Sequence, residues 1–245
     1  MIRTESLSDQ VYVVLKGMIA DHRFSPGARV NVEVITKELG VSRTPVWEAV
    51  RRLQQEGLLE NIPNRGVFMV VLSTAKALHL YAVREVLEGL AAKEAARTFS
   101  EPALARMETL LDAQRAAVEA QDLLTYSRLD FDFHAMVYVE CGNPYLREML
   151  DSIRHKMRPM SLRTAPILGD LYQDHVALFE AFKAHDPERA EQVFLRHNRR
   201  MINLITSQAE EKRGVDVPEE RPPRQEPRKR PSLNAKENDY ETAGK

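Results

Sequence analysis

The sequence predicts a mainly α-helical protein: an N-terminal winged helix-turn-helix with a small β-hairpin wing, then an all-α six-helix bundle. Three observations support this prediction. Residues 1–72 show three short helical periods followed by two short β-runs. In residues 73–211, apolar residues recur at helical spacing throughout. Residues 212–245 change character and nearly lack large apolar side chains.

In the first region, residues 1–72, local signals place each element. Four apolar residues share one face of the first helix: Val11, Val14, Leu15 and Met18. A Pro-Gly pair at 26–27 then indicates a turn. Asn31 is placed to cap the second helix, and Gly40 to end it in the left-handed conformation that glycine tolerates.

The third helix and the hairpin complete the motif. Ser42 stands where an N-cap belongs, with Pro45 in the first turn, where a missing N–H costs nothing. We expect Val46, Val50 and Leu53 to be buried. Two β-runs surround the turn signal "PNRG" at 63–66. In a winged helix-turn-helix the third helix enters a groove of DNA and the hairpin forms the wing.

The second region, residues 73–211, contains six helical segments joined by short connections, which is typical of a bundle. Cap and first-turn residues mark their starts: Pro102, Asp122, Asn143 with Pro144, and Asp186 with Pro187. The third region, 212–245, is rich in proline and in both charges, so we expect disorder. Its run "PRKRP" is basic enough to contact nucleic acid, although a solvated tail is the plainer interpretation.

Composition limits the class of protein. The 245 residues are enough for one large or two modest domains, and hydrophobic residues make up 43 % of them, which is ordinary for a protein that buries a core. The formal net charge is −1, so overall charge does not indicate nucleic-acid binding, although a local patch can still be basic. Cys141 is the only cysteine, which excludes an internal disulfide and fits the cytoplasm. No signal-peptide core and no run of about 18 apolar residues occurs, so we expect no membrane span.

The segment "VITKELGVSRTPVWEAVRRLQQEGLLENIPNRGVFM" resembles the DNA-binding domain of GntR-family bacterial transcription regulators. The helical region resembles the ligand-binding FCD domain of the FadR subfamily. Its marks are "VREVLEGLAA", "DFDFHAMVYVECGNPYL", "DHVALFEAF" and "RHNRRM". The resemblance covers nearly all of residues 1–210, and the tail has no counterpart.

The resemblance implies DNA contacts at the start of the third helix and at the wing tip. Arg43 is expected to donate bidentate hydrogen bonds to a guanine edge, and Thr44 to contact phosphate or base. Asn64 and Arg65 lie at the wing tip, where an arginine can enter a narrow minor groove. Gly66 permits close approach of the backbone.

Two further residues of the third helix leave alternatives open. Arg52 either contacts phosphate or pairs with Glu48 or Glu56 on the helix surface. Trp47 stands where the family usually has a second arginine, and its indole cannot contact guanine in a bidentate way. Trp47 either meets a thymine methyl or packs between domains or against the wing. The family's usual operator is therefore not transferred to this chain.

Four residues of the second region indicate a metal site. Asp130 and His134 are four apart and project from one helical face, while His175 and His197 lie on two later helices. Alone, each histidine is more often an ordinary surface or core residue. Together, three imidazoles and a carboxylate suit Zn²⁺, Ni²⁺ or a similar divalent ion. The FCD resemblance assigns the metal role to these four positions.

The resemblance also implies that the metal helps to hold a small carboxylate effector. Arg84 is then the arginine that pairs with this acid; the alternative is a surface salt bridge to Glu88. Arg158, Arg163 and Asn198 are further candidates for the effector pocket. A complete metal site argues against the long-chain acyl-CoA ligand of the subfamily's namesake.

The sequence therefore predicts a cytoplasmic, homodimeric, ligand-responsive transcription factor that binds a palindromic operator and is released by its effector. Two alternatives remain. In the first, the metal ion itself is the signal. In the second, the helical domain is a metalloenzyme with the four metal residues catalytic. Against the enzyme, Asp132 is the only obvious general base near the motif, and a winged domain would serve no purpose.

Overall fold

The structure, a computed structural model, describes residues 6–214. Of the tail predicted to be disordered, residues 212–214 belong to the last helix, and residues 215–245, with the basic run, lie outside the described residues. Six elements form the N-terminal domain: α1 (Leu7–Ala20), β1 (Arg29–Val30), α2 (Val32–Leu39), α3 (Arg43–Gln55), β2 (Leu59–Ile62) and β3 (Gly66–Met69). The strands form one antiparallel sheet in the order β1-β3-β2.

The predicted winged helix-turn-helix is confirmed, with two local differences. Strand β1, which has only two residues, is added to the predicted hairpin. On α1, Val14 is 43 % exposed, whereas Ile19 is buried beside Val11 and Leu15. The buried stripe of α1 thus follows a four-residue spacing through Val11, Leu15 and Ile19, because the C-terminal end of α1 also packs on the domain core.

Local chemistry explains why α2 and α3 begin and end where they do. The Asn31 side chain accepts hydrogen bonds from the backbone N–H groups of Glu33 and Val34. Gly40 ends α2 with a left-handed φ of 64°. Ser42 occupies the N-cap position of α3 but makes no side-chain capping bond. The apolar face of α3 is fully buried, as predicted, at Val46, Val50 and Leu53.

The second part of the chain is the predicted six-helix bundle. Its helices are α4 (Thr74–Thr98), α5 (Glu101–Glu119), α6 (Leu123–Glu140), α7 (Pro144–Met157), α8 (Leu168–Lys183) and α9 (Pro187–Gly214). Two short 3₁₀ segments, Arg158–Arg163 and Ala165–Ile167, join α7 to α8. Among the described helices, none is long and apolar enough to span a membrane.

Close packing of α4 against α9 shapes the centre of the bundle. Five alanines of α4 are fully buried, and four of them belong to the main core: Ala91, Ala92, Ala95 and Ala96. At Gly89, an added Cβ would come within 3.1 Å of the Leu195 side chain, so the two helices approach as only small residues allow. This packing places α9 against α4 and α8, and it brings Phe194 and His197 of α9 close to His134 of α6. Cys141 is buried.

Candidate metal centre and DNA-binding face

The four predicted metal residues converge inside the bundle. Asp130 and His134 come from α6, His175 from α8 and His197 from α9. One donor atom of each lies within 4.8 Å of the donor atoms of the other three. The three imidazoles are at most 3 % exposed. A site that residues from three helices share is held in place by the bundle core.

The histidines are oriented by partners behind them. Nδ1 of His134 lies 2.7 Å from Oε1 of Glu88, and Nδ1 of His175 lies 2.9 Å from Oε1 of Gln114. Their Nε2 atoms therefore face Asp130 Oδ1, at 3.6 and 3.7 Å. Such partners fix the ring orientation of a metal ligand. Nε2 of His175 is buried without any hydrogen-bond partner, so the donor set fits an ion that would occupy this space.

Electrostatics suit metal binding at two of the three imidazoles, those of His175 and His197, whereas the Glu88 carboxylate raises the pKa of His134 against the effect of burial. Burial lowers the pKa of His175 well below its usual range, and burial with His134 lowers the pKa of His197 to about 3. Both are then neutral near pH 7, which is the form that binds metal. Burial acts to raise the pKa of Asp130, but the surrounding imidazoles lower it, so this group is a carboxylate.

Glu88 is a buried carboxylate whose role the sequence did not reveal. It is fully buried and its Oε1 lies 2.9 Å from Arg84 Nη2. Asn198 Nδ2 donates to Glu88 Oε2 at 2.6 Å, and the Tyr138 hydroxyl donates to Oε1. Burial alone would raise the pKa of Glu88, but Arg84 and His134 hold it well below its usual range. The expected Arg84–Glu88 pair therefore exists, but in the interior instead of on the surface.

A cavity of about 40 Å³ opens beside the metal residues. Among the described residues that line it, Asp130 is the only carboxylate, and three are arginines: Arg84, Arg154 and Arg158. Since one water needs about 10–15 Å³ of such space, the cavity holds a few waters or a small acid group. A volume of about 40 Å³ is too small for a long acyl chain.

The predicted effector residues divide between this cavity and its surroundings. Arg84 and Arg158 line it, whereas Arg163 and Asn198 are not among the lining residues. Asn198 instead holds Glu88. The sequence interpretation missed Arg154, whose signal was its position one helical turn before Arg158 on the polar side of α7. Arg154 is buried and pairs with Asp151 at 2.9 Å.

The predicted DNA-reading residues lie at the start of α3 and at the wing tip. Arg43 and Thr44 are exposed in the first turn of α3, and Arg43 Nη2 lies 2.8 Å from Glu33 Oε1. Arg52 pairs with Asp9 at 2.6 Å and its guanidinium lies 3.8 Å from the Tyr12 ring centre. Arg52 would have to leave Asp9 to reach a phosphate. It does not pair with Glu48 or Glu56.

Trp47 and the wing complete this face. Trp47 is half-buried and packs against the core of its own domain. At the wing tip, Asn64 and Arg65 are exposed, and Asn64 and Gly66 have φ values of 61° and 104°.

Arg29 of β1 joins the wing, which the sequence did not reveal. Its guanidinium lies 3.3–3.4 Å from where a Cβ on Gly66 would be. Arg29 is exposed and has no ion pair among the described residues. The wing therefore presents two arginines, Arg29 and Arg65, instead of one.

Comparisons with known proteins agree with this architecture. The family model for bacterial regulatory proteins of the gntR family matches residues 7–69, and the FCD domain model matches residues 79–200. The HTH-type transcriptional repressor RspR of Escherichia coli K12 is 26 % identical over 197 residues, which cover 79 % of this chain and 86 % of the repressor.

Two further likenesses extend the comparison. An uncharacterized HTH-type transcriptional regulator of Agrobacterium vitis, from the TAR-I ttuE-ttuC′ intergenic region, is 36 % identical over 127 residues. This stretch covers 50 % of this chain and 74 % of that regulator. The solved structure of E. coli McbR/YncC matches with a TM-score of 0.76 at 24 % identity, over 84 % of this chain and 100 % of the other. This last likeness shows a shared fold.

Proposed function

The chain belongs to the GntR family of bacterial transcriptional regulators and carries an FCD domain, and from this premise we propose that it is an effector-released repressor. We further propose that its helical domain binds a divalent metal ion and a small carboxylate, and that it belongs to the FadR subfamily. Its relatives are transcriptional regulators, which are not enzymes, so the metalloenzyme alternative is rejected. Since its target is the bacterial chromosome, we propose that it acts in the cytoplasm.

The convergence of Asp130, His134, His175 and His197 carries the metal proposal. Three nitrogen ligands and one carboxylate favour Zn²⁺ or Ni²⁺ over the hard cations that prefer oxygen. A bound ion would supply positive charge and coordination positions that a ligand can complete. Glu88 and Gln114 would hold two of the imidazole rings in the required orientation.

The charge of the cavity supports an anionic effector. Arg84, Arg154 and Arg158 face one lining carboxylate, and a divalent ion would add further positive charge. A carboxylate can form bidentate, charge-assisted hydrogen bonds with arginine. The volume of about 40 Å³ favours a small acid, with any larger effector entering only if the walls move apart.

For DNA binding, we propose that α3 reads base edges through Arg43 and Thr44, and that Asn64, Arg65 and Gly66 of the wing approach the minor groove. We also propose that Arg52 and Trp47 contact DNA. The alternative for both is that they only pack within their own domain. A homodimer would place two such domains on a palindromic operator.

An exposed apolar stripe supports the homodimer. Val83, Val86 and Leu90 follow helical spacing on α4 and are 49 %, 66 % and 43 % exposed. Tyr145 and Met149, one turn apart on α7, are 78 % and 57 % exposed. Leu90 and Asn143 line one shallow groove, so the stripe borders the start of α7. Such a patch of large apolar side chains typically marks an interface, and we propose that a second copy covers it.

A second candidate function is that of a regulator for which the metal ion is the signal. The small volume of the cavity favours it, because an ion with one or two waters nearly fills about 40 Å³. In that case operator affinity changes with the metal alone.

Thermal melting separates these functions. Purified protein would be melted with mono-, di- and hydroxycarboxylates, before and after chelator treatment and metal return. A ligand that binds only the native state raises Tm, so one acid whose effect needs one metal supports the proposed pocket. A large effect of metal with none from any acid would replace the carboxylate proposal by the metal-signal regulator. No effect of Zn²⁺ or Ni²⁺ would overturn both.

A further inference from the structure

The C-terminal end of α1 is held against the helical domain beside the cavity. Asp21 caps α1, and His22 follows with a φ of 55°, which turns the chain sharply. Three polar contacts fasten this corner. They join Arg158 Nε to the Ala20 carbonyl at 2.7 Å, Arg128 Nε to Asp21 Oδ1 at 3.3 Å, and His22 Nε2 to Ser127 Oγ at 3.3 Å.

Of the two arginines at this corner, only Arg158 also lines the cavity. Its side chain is buried, and Nη1 donates to the Ser127 carbonyl at 2.7 Å. Its guanidinium carbon lies 4.7 Å from the centre of the Phe131 ring, which limits where the group can move. One guanidinium therefore lies between the Ala20 carbonyl and the cavity that holds Asp130.

Helix α1 is firmly joined to α3, the helix that carries Arg43. Val11, Leu15 and Ile19 of α1 share one core with the buried face of α3. At the helix surface, Arg52 of α3 pairs with Asp9 of α1. Any displacement of the end of α1 is therefore transmitted to α3.

We propose that Arg158 couples the cavity to the DNA-binding domain, by exchanging the Ala20 carbonyl for an anion bound in the cavity. A carboxylate is the stronger acceptor for a guanidinium, since it carries a negative charge and can accept two parallel N–H···O bonds, whereas the Ala20 carbonyl is neutral and accepts one from Arg158. The Ala20 carbonyl, one of the last four of α1 without a partner in its own helix, then loses its donor. This inference rests on the proposed carboxylate site and adds the route by which that site acts on DNA binding.

The competition between the Ala20 carbonyl and the bound anion for Arg158 sets the direction of the effect on operator binding. With the cavity free of anion, Arg158 fastens the α1 corner and fixes α3 relative to the bundle. With an anion bound, the corner loosens, so the two DNA-binding domains of a dimer lose their fixed spacing. Operator binding is then weakened because ligand and operator favour different states.

Hydrogen–deuterium exchange of the zinc-loaded full chain tests the coupling. The probes are acetate, malonate and citrate, each first checked for a rise in Tm. The reporter is the peptide over residues 19–24, where the amides of Asp21, His22 and Arg23 bond to carbonyls of α1. Four proteins are compared: wild type, Arg158→Ala, Arg158→Lys and the control Arg128→Ala, which loses a corner contact but no cavity residue.

We expect the acid that raises Tm to speed exchange of residues 19–24 about tenfold in wild type, with no change over α5. Arg128→Ala should respond to the acid by the same factor. Both Arg158 variants should exchange fast without any acid and show no further increase with it. Arg158→Lys keeps a cation in the cavity, so it separates the loss of the bridge from the loss of charge.

Two results would overturn the coupling alone. One is an acid that raises Tm in wild type while exchange of residues 19–24 is unchanged or slower. The other is slow exchange in both acid-free Arg158 variants, equal to wild type. If no acid raises Tm, the carboxylate site itself fails and the coupling fails with it, a result that differs from the first two.

Discussion

The arginines of the DNA-binding face and those of the cavity show how one residue type serves two purposes in two environments. Arg43 and its partner Glu33 have side chains that are 70 % and 67 % exposed, whereas those of Arg84 and Glu88 are 10 % and 0 % exposed. An exposed pair contributes about 0–1 kcal/mol, so Arg43 can leave Glu33 for DNA at little cost. Breaking a buried pair costs about 3–5 kcal/mol. The exposed Arg43–Glu33 pair is thus built for exchange of partners, and the buried Arg84–Glu88 pair for permanence.

Glu88→Gln should have the largest effect of the variants below, because it breaks the buried Arg84–Glu88 pair. It leaves the Arg84 charge buried without its partner, so we expect the free energy of unfolding to fall by about 3–5 kcal/mol in urea denaturation of metal-free protein. The matched control is Glu33→Gln, which removes the exposed partner of Arg43 and should cost at most about 1 kcal/mol. Similar losses in the two variants would contradict the contrast.

His175→Gln should remove a metal ligand while the other three remain. We expect zinc affinity to fall by more than about 100-fold, beyond the 10–100-fold typical of residues that only orient a ligand. Competition with a chromophoric chelator measures this loss. His79→Ala, which changes an exposed histidine outside the cluster, serves as control. Unchanged zinc affinity in His175→Gln would exclude this residue from the metal site.

Arg43→Ala tests the exposed side of the comparison, because it removes the arginine that we propose reads a base edge. Loss of one bidentate base contact should weaken the free energy of operator binding by about 1–3 kcal/mol. Fluorescence anisotropy measures this loss on a duplex that the wild-type protein has selected from random sequences. Arg52→Ala, which frees Asp9 and uncovers Tyr12, should weaken binding less. An equal or larger loss for Arg52→Ala would show that Arg52 leaves Asp9 to contact DNA.

Arg29→Ala should give the smallest effect. If Arg29 contacts one phosphate beside the wing, the slope of log K against log salt falls by about 0.9 on any duplex DNA. Arg23→Ala is the control, because Arg23 pairs with Glu38 at 2.6 Å on the same domain. A slope equal to wild type would remove Arg29 from the DNA-binding face.

Local signals in the sequence were sufficient for most of the fold. Helix α2 begins after Asn31 and ends at Gly40 because of capping chemistry that involves only neighbouring residues. The run "PNRG" likewise predicts the position of the hairpin turn. The two-residue strand β1 was not predictable, because it exists only through its pairing with β3. Ile19 was likewise missed, since its burial depends on what covers the last turn of α1.

For the site, the sequence by itself determined the residue types and the spacing within one helix. Asp130 and His134 must share a face of α6, and the resemblance to FCD domains supplied His175 and His197. Only the tertiary structure decided what surrounds them. Glu88 and Arg154 became site residues because helix packing buries them, and burial turns an ordinary ion pair into a costly one to break. The bond from Arg158 to Ala20 joins residues 138 positions apart, a separation that no local pattern encodes.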